Sequence, residues 1–306
     1  MKPAKFEYFR PENLTEATRL LGQYGDEASL LAGGQSLLPL LSMRLARPAV
    51  IIDLNRLAEL DYLREDGDWL AIGALTRQRA TELSPLVARL CPLVQESIKL
   101  IGHLPIRNRG TIGGNIAHAD PASELPATLQ ALNGLVVLVG PEGERAVTAA
   151  DFFLTVLTTS RSAVEMVKEV RFPRLPLSEK VKAGYAFYEV SRQQGNYAMA
   201  GAAVYLELDG QGYISAARLG LCSVAPIPLK AAAAEQILVG EKPSPALFKE
   251  AGRLAAQVSD PASDLHAEAD YRRALAGVVT ERALARALAR SAKGGAEARP
   301  PAPEGV

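Results

Sequence analysis

The sequence predicts an α+β fold in two domains, on three observations. The chain has 306 residues, 48% of them apolar, which is long for a single core and ample for two. Its first half mixes helix and strand signals around glycine turns. Beyond Pro173–Pro176 the pattern changes to three strands followed by helices. Two prolines in four residues stop any regular element, so the domain boundary is placed there, giving domains of residues 1–176 and 177–290. Residues 291–306, rich in Pro, Gly, Ala and Glu, are expected to form a disordered tail.

In chain order, Asn13–Tyr24 is predicted as a helix, with Leu14, Ala17, Leu20, Leu21 and Tyr24 on one face. Asn13, with Glu16 three residues on, is its expected cap. A strand over Ala28–Leu31 runs into Ala32-Gly33-Gly34-Gln35-Ser36, and Val50–Ile52 is a second strand. Trp69–Ile72 is a further strand, and Leu93–Ile101 is a helix with Leu93, Val94, Ser97, Ile98 and Ile101 in register. A helix is expected over Leu125–Leu132, and then a buried strand over Leu135–Val139 that Pro141-Glu142-Gly143 turns. In the second domain the strands are Ala186–Val190, Ala202–Leu208 and Ile214–Leu221, and Asp209-Gly210-Gln211-Gly212 joins the last two as a hairpin. Helices over Ala246–Val258, after a Ser244-Pro245 start, and Tyr271–Ala289 complete the domain.

Composition removes several function classes. Lys plus Arg and Asp plus Glu both number 34, so the basic excess of a general nucleic-acid surface is missing. The two cysteines, Cys91 and Cys222, form no C-x-x-C pair and are too few for a four-cysteine cluster. With only His103, His118 and His266 as histidines, no metal site is expected either. No signal-peptide core and no run of 18 apolar residues occurs, so a cytoplasmic protein without a membrane span is expected.

The candidate site comes from two glycine pairs. Leu31-Ala32-Gly33-Gly34-Gln35-Ser36-Leu37 and Gly110-Thr111-Ile112-Gly113-Gly114-Asn115-Ile116 each set adjacent glycines beside small hydrogen-bonding side chains. Adjacent glycines permit positive φ, and successive N–H groups can then face one concavity and hold an anion. Two such turns could grip the two phosphates of a dinucleotide. An ordinary turn is the competing reading of either pair alone. Neither pair matches G-x-G-x-x-G or G-x-x-x-x-G-K-[ST], and Ser36 lacks a G-x-S-x-G setting. Beside the second pair, Arg107 and Arg109 could neutralise phosphate or form salt bridges. Asp120 and Glu124 could accept from sugar or ribityl hydroxyls or, with Ser123, cap the following helix. His118 is an acid–base candidate or a structural hydrogen-bonding histidine.

Ala32–Leu37 together with the run Ile106–Glu124, in this order and separation, resembles the FAD-binding medium subunits of the molybdenum hydroxylase family, which includes xanthine dehydrogenase and carbon monoxide dehydrogenase. The resemblance extends from Phe6 to about Arg290, and the second motif is its specific part. It implies a two-lobed FAD-binding domain of the vanillyl-alcohol oxidase type, with lobes over about 1–55 and 56–176. It also implies a C-terminal domain with a three-stranded antiparallel sheet and a helix bundle. Carried over by position, Ala32, Gly33, Gly34, Gln35, Ser36 and Leu37, with Thr111, Ile112, Gly113, Gly114 and Asn115, would hold the FAD pyrophosphate, largely through backbone N–H groups. Glu124 would bond the ribityl or ribose region, and Tyr188 would approach the isoalloxazine. No catalytic residue is implied. Gln193 and Asn196 stand where relatives commonly carry a basic residue and an Asp, and Pro105 replaces a polar residue.

The function implied is an electron-transfer subunit. A small partner subunit would carry two 2Fe–2S clusters and a large one molybdopterin, in a dimer of heterotrimers that passes electrons from FAD to an external acceptor. A free-standing FAD-dependent oxidoreductase and a non-enzymatic nucleotide-binding module are the alternatives.

Overall fold

The computed structural model describes residues 2–177 and 181–291, so the tail expected at 291–306 lies, but for Ser291, outside the described residues. β1 (Glu7–Phe9), β2 (Ala28–Leu31) and β3 (Val50–Asp53) form a parallel sheet in the order β1-β3-β2. The middle strand reads Val-Ile-Ile-Asp and is buried at every position, as a parallel strand covered on both faces requires. Helix α1 (Leu14–Tyr24) packs Ala17, Leu20 and Leu21 into this lobe. The Asn13 side-chain oxygen accepts the Glu16 N–H at 2.9 Å, so the cap stands where the sequence puts it. α2 (Leu37–Ser42) follows the first glycine pair.

The second lobe is an antiparallel sheet with a helical layer inserted. β4 (Leu63–Asp66) and β5 (Trp69–Gly73) lead into α3 (Gln78–Leu83), α4 (Pro85–Leu90), α5 (Pro92–Leu100), α6 (Leu104–Arg109), α7 (Ile112–His118) and α8 (Glu124–Ala131). β6 (Leu135–Gly140), β7 (Gly143–Thr148), α9 (Ala149–Phe152), the hairpin β8 (Phe153–Thr155) and β9 (Thr158–Thr159), and β10 (Met166–Pro173) complete it. The sheet order is β4-β5-β10-β6-β7, so the central strand is the last in sequence. β10 escaped sequence reading because a bulge between Val167 and Glu169 breaks its alternation. Glu169 is buried there with the Tyr62 hydroxyl, Arg64 and Arg171 as partners. Leu70, Ile72, Val136, Leu138, Val170 and Phe172 of the sheet pack against Leu93, Val94 and Ile98 of α5 and Leu125 and Leu129 of α8. Each such side chain contributes roughly 1.5–3 kcal/mol by leaving water.

In the C-terminal domain β11 (Lys182–Ser191), β12 (Ala198–Leu208) and β13 (Ile214–Cys222) are antiparallel neighbours, and β14 (Leu229–Lys230) adds a two-residue fourth strand at the edge. α10 (Ala232–Leu238), α11 (Pro245–Gln257) and α12 (Ala269–Ser291) cover one face. The strand period of two sorts the side chains. Tyr185 and Phe187 join the core shared with the first domain, whereas Ala186 and Tyr188 face the helices. Among the described residues no helix is long and apolar enough to cross a membrane.

Candidate cofactor-binding cleft

A cleft of about 670 Å³ is lined by residues from both domains, a volume suited to a cofactor-sized ligand. Residues 32–37 come from the first glycine segment, and Thr111, Gly113, Gly114 and Asn115 from the start of α7. Gln78, Asp120, Glu124 and Arg161 come from the second lobe, and Arg192, Asn196 and Tyr197 from the β11–β12 connection.

The first glycine segment is built to expose backbone donors. A Cβ on Gly33 would lie 2.5 Å from the Arg109 carbonyl oxygen and 2.8 Å from Gly110 Cα, so only glycine lets the two segments pack backbone to backbone. Gly34 turns the chain with φ +73°. The N–H groups of Gly33, Gly34, Gln35, Ser36 and Leu37 have no acceptor among the described residues. The carbonyls of Gly34 and Ser36, in contrast, accept the N–H groups of Leu38 and Leu40 at 3.1 and 3.3 Å. Consecutive free donors in a cleft wall are the chemistry of an anion site.

The second segment corrects the expectation of a donor turn. It is the first turn of α7, and Gly113 and Gly114 do not adopt positive φ. From Ile112 to Asn115 its N–H groups are taken: Ile112 donates to Thr76 O at 3.0 Å, Gly113 to Ala74 O at 2.9 Å, Gly114 to Thr111 Oγ1 at 3.1 Å and Asn115 to Thr111 O at 3.1 Å. The physical reason is local supply: Thr111 caps the helix, and the carbonyls after β5 face it. Gly113 is glycine because a Cβ would press on Ala74, with Ala74 Cα at 2.7 Å. The Ile112 side chain lies in the core and does not line the cleft, a second correction. What this segment offers a ligand is its side chains and the Thr111 N–H, which has no acceptor among the described residues. Asn115 Oδ1 accepts the Ser123 hydroxyl at 2.9 Å, which leaves the amide NH₂ without a protein acceptor among the described residues.

Acidic groups collect where α8 begins. Glu124 is only 5% exposed and has no cation partner among the described residues. Burial, then the charges of Glu189 and Asp120, push its carboxyl well above the usual range. Glu189, on the strand face that bears Phe187, has a buried Oε2 with no hydrogen-bond partner among the described residues, and burial pushes its carboxyl up to about 7. Asp120 Oδ1 accepts the Ala122 N–H at 2.9 Å, so it caps a turn; Ser123 turns its hydroxyl to Asn115 and does not cap α8.

Tyr188 is the third correction. Its ring packs under Arg282 and Arg286, with guanidinium carbons 5.5 and 4.4 Å from its centroid, and its hydroxyl accepts from Arg282 at 2.7 Å. Strand alternation turns it toward α12 and away from the cleft. The aromatic side chain that lines the cleft is Tyr197, in the loop after the strand. Gln78 also went unread in the sequence: it lines the cleft, and its buried Oε1 has no partner among the described residues. His118 lines the cleft as well. Arg107 holds its own loop, donating to Glu82 at 2.9 Å and to the carbonyls of Ile101 and Gly102 at 3.0 Å.

These groups fit FAD. The free donors of residues 33–37 suit a pyrophosphate, the acids suit sugar and ribityl hydroxyls, and the orphaned Gln78 oxygen awaits a donor. Residues 4–175 match the family described as the FAD binding domain in molybdopterin dehydrogenase, and residues 185–287 the CO dehydrogenase flavoprotein C-terminal domain. The chain is 40% identical to the carbon monoxide dehydrogenase medium chain of Hydrogenophaga pseudoflava, over 95% of this chain and 100% of that one. It is 38% identical to the 6-hydroxypseudooxynicotine dehydrogenase complex subunit alpha of Paenarthrobacter nicotinovorans, over 95% and 97%. The solved carbon monoxide dehydrogenase from Hydrogenophaga pseudoflava superposes with a TM-score of 0.91 at 42% identity, covering 95% of this chain and 99% of that one. Quinoline 2-oxidoreductase from Pseudomonas putida 86 superposes with a TM-score of 0.89 at 32% identity, covering 95% and 99%.

Proposed function

The chain belongs to the family of FAD-binding medium subunits of molybdenum hydroxylases, and from that premise we propose that it relays electrons from 2Fe–2S clusters of a small partner subunit to an external acceptor. A large partner subunit with molybdopterin oxidises the substrate, and the assembly is a cytoplasmic dimer of heterotrimers. The observation that carries this reading is the wall of free N–H groups at Gly33–Leu37 within a cleft of FAD size, on a chain with only two cysteines, both buried. Bound flavin supplies the conversion between single electrons and electron pairs.

The chain's own residues bind and orient. The N–H groups of Gly33–Leu37 hold the pyrophosphate, and Ala32 shapes the entry to that turn. The Thr111 hydroxyl and the Asn115 amide add side-chain donors, and Gly113 and Gly114 keep the start of α7 close. Glu124 receives hydroxyl groups. The substrate is chosen by the large subunit.

Purification of the complex from its native source tests the reading. Two co-eluting chains with iron and molybdenum, and no substrate turnover by this chain alone, are the expected result. A lone flavoprotein that turns over a substrate would replace it with a free-standing oxidoreductase.

A further inference from the structure

The first glycine turn leaves its N–H groups to the ligand, so the protein must hold that turn by its carbonyl side. Asn55, just beyond β3, does this: its Nδ2 donates to Ala32 O at 2.9 Å. Its Oδ1 accepts from an Arg77 guanidinium nitrogen at 2.7 Å. Arg77, at the start of α3, donates from its other terminal nitrogen to Arg109 O at 2.5 Å. That is the carbonyl on which Gly33 rests, and the Arg77 backbone pairs with Thr111. One amide–guanidinium pair thus runs from the entry of the first turn to the segment that leads into α7.

The pair is itself fixed. Asp53 Oδ1 accepts the Asn55 backbone N–H at 3.0 Å and the side-chain Nδ2 at 2.6 Å, and its Oδ2 accepts the Tyr8 hydroxyl at 2.5 Å. Both amide hydrogens of Asn55 and its amide oxygen are therefore engaged, which leaves one orientation. Charge-assisted bonds of this kind are the stronger ones, and a saturated network holds its geometry better than isolated bonds.

We propose that Asn55 and Arg77 are positioning residues that preorganise the phosphate-binding turn by bracing it against Arg109–Gly110 across the two lobes. The proposal rests on the reading of Gly33–Leu37 as the pyrophosphate site. It assigns a role to two residues that lie outside both glycine motifs and do not line the cleft. The brace acts on the pyrophosphate end, so its loss lowers affinity for FAD and leaves affinity for riboflavin, which has no pyrophosphate, unchanged.

Flavin fluorescence titrations of the full chain, stripped of cofactor, with FAD and with riboflavin test this. Asn55→Ala and Arg77→Gln should each weaken FAD binding about tenfold to a hundredfold, the effect of one lost charge-assisted hydrogen bond, and leave riboflavin unchanged. The double variant should be no weaker than the worse single one, because both break the same brace. Arg77→Lys, which keeps a donor toward Arg109 O, should recover most of the FAD affinity. Parallel losses for FAD and riboflavin would mark a general structural role and overturn the proposal. Unchanged FAD binding in Asn55→Ala and Arg77→Gln, with FAD lost in Gly33→Val, would also overturn the brace but leave the pyrophosphate site standing. FAD binding unaffected by Gly33→Val would remove the site and the brace together.

Discussion

Gly33–Gly34 and Gly113–Gly114 look alike in sequence and use their backbones in opposite ways. At the first pair the amides from Gly33 to Leu37 stay free, Gly34 takes positive φ, and the missing Cβ of Gly33 admits Arg109–Gly110. At the second pair every amide from Ile112 to Asn115 is satisfied, both glycines are helical, and the missing Cβ of Gly113 admits Ala74. A glycine pair makes a close approach possible, and the neighbouring acceptors decide whether the amides remain for a ligand. The surroundings differ in charge as well. Glu124, Glu189 and Asp120 gather beyond the second pair, which makes that end a poor place for phosphate and a good one for hydroxyl donors.

The largest expected effect is at the first pair. Gly33→Val drives a side chain into the Arg109 carbonyl and should abolish flavin retention, with a stability loss of about 3 kcal/mol by overpacking. Flavin content and a urea melt check both. Glu189 comes next, through pH. Its carboxyl is at about 7 in the fold against an ordinary 4.5, so the folded state holds a proton that the unfolded chain has released. The stabilisation is fully present below pH 4.5 and is lost as pH rises through about 7. The difference, 7 − 4.5, corresponds to about 3 kcal/mol at most. Glu189→Gln should flatten that decline in urea melts across the window. A decline as steep as in the parent would show that Glu189 is not the group that holds the proton.

At the second pair the contrast sharpens. Gly113→Ala should lower stability by about 2 kcal/mol, because Ala74 backbone must move, yet the folded fraction should still bind FAD. Flavin lost from a variant of undiminished stability would erase the distinction between the pairs. The smallest effect is Thr111→Ala, which removes the α7 cap and should cost about 1 kcal/mol, with Thr111→Ser retaining it. Thermal melts of the three proteins decide the point.

Much of the fold was legible because its signals are local. The Asn13 cap, the apolar run of β3 and the hairpin at Asp209–Gly212 all appear as read, and α11 and α12 begin and end within two residues of expectation. α6 and α7 were not legible, since Pro105 and two glycines disguise short helices whose ends are set by His103 and Thr111. In the site, the residues of the first turn line the cleft, whereas Tyr188 does not, because recognising a motif does not reveal which face of a strand a residue occupies. Asn55 and Arg77 gave no signal at all, being separated by 22 positions.

Sequence alone determined the α+β division, the helices and strands with clear periodicity, the two glycine segments and the family resemblance. Each of these depends on residues within a few positions of one another or on a motif written contiguously. Only the tertiary structure decided which amides remain free, which aromatic ring lines the cleft, that buried Glu124 and part-buried Glu189 lie near each other without a cation among the described residues, and that an amide–guanidinium pair links the first turn to Arg109. Those properties depend on acceptors, charges and solvent exclusion supplied by distant segments, and such atoms become neighbours only when the chain has folded.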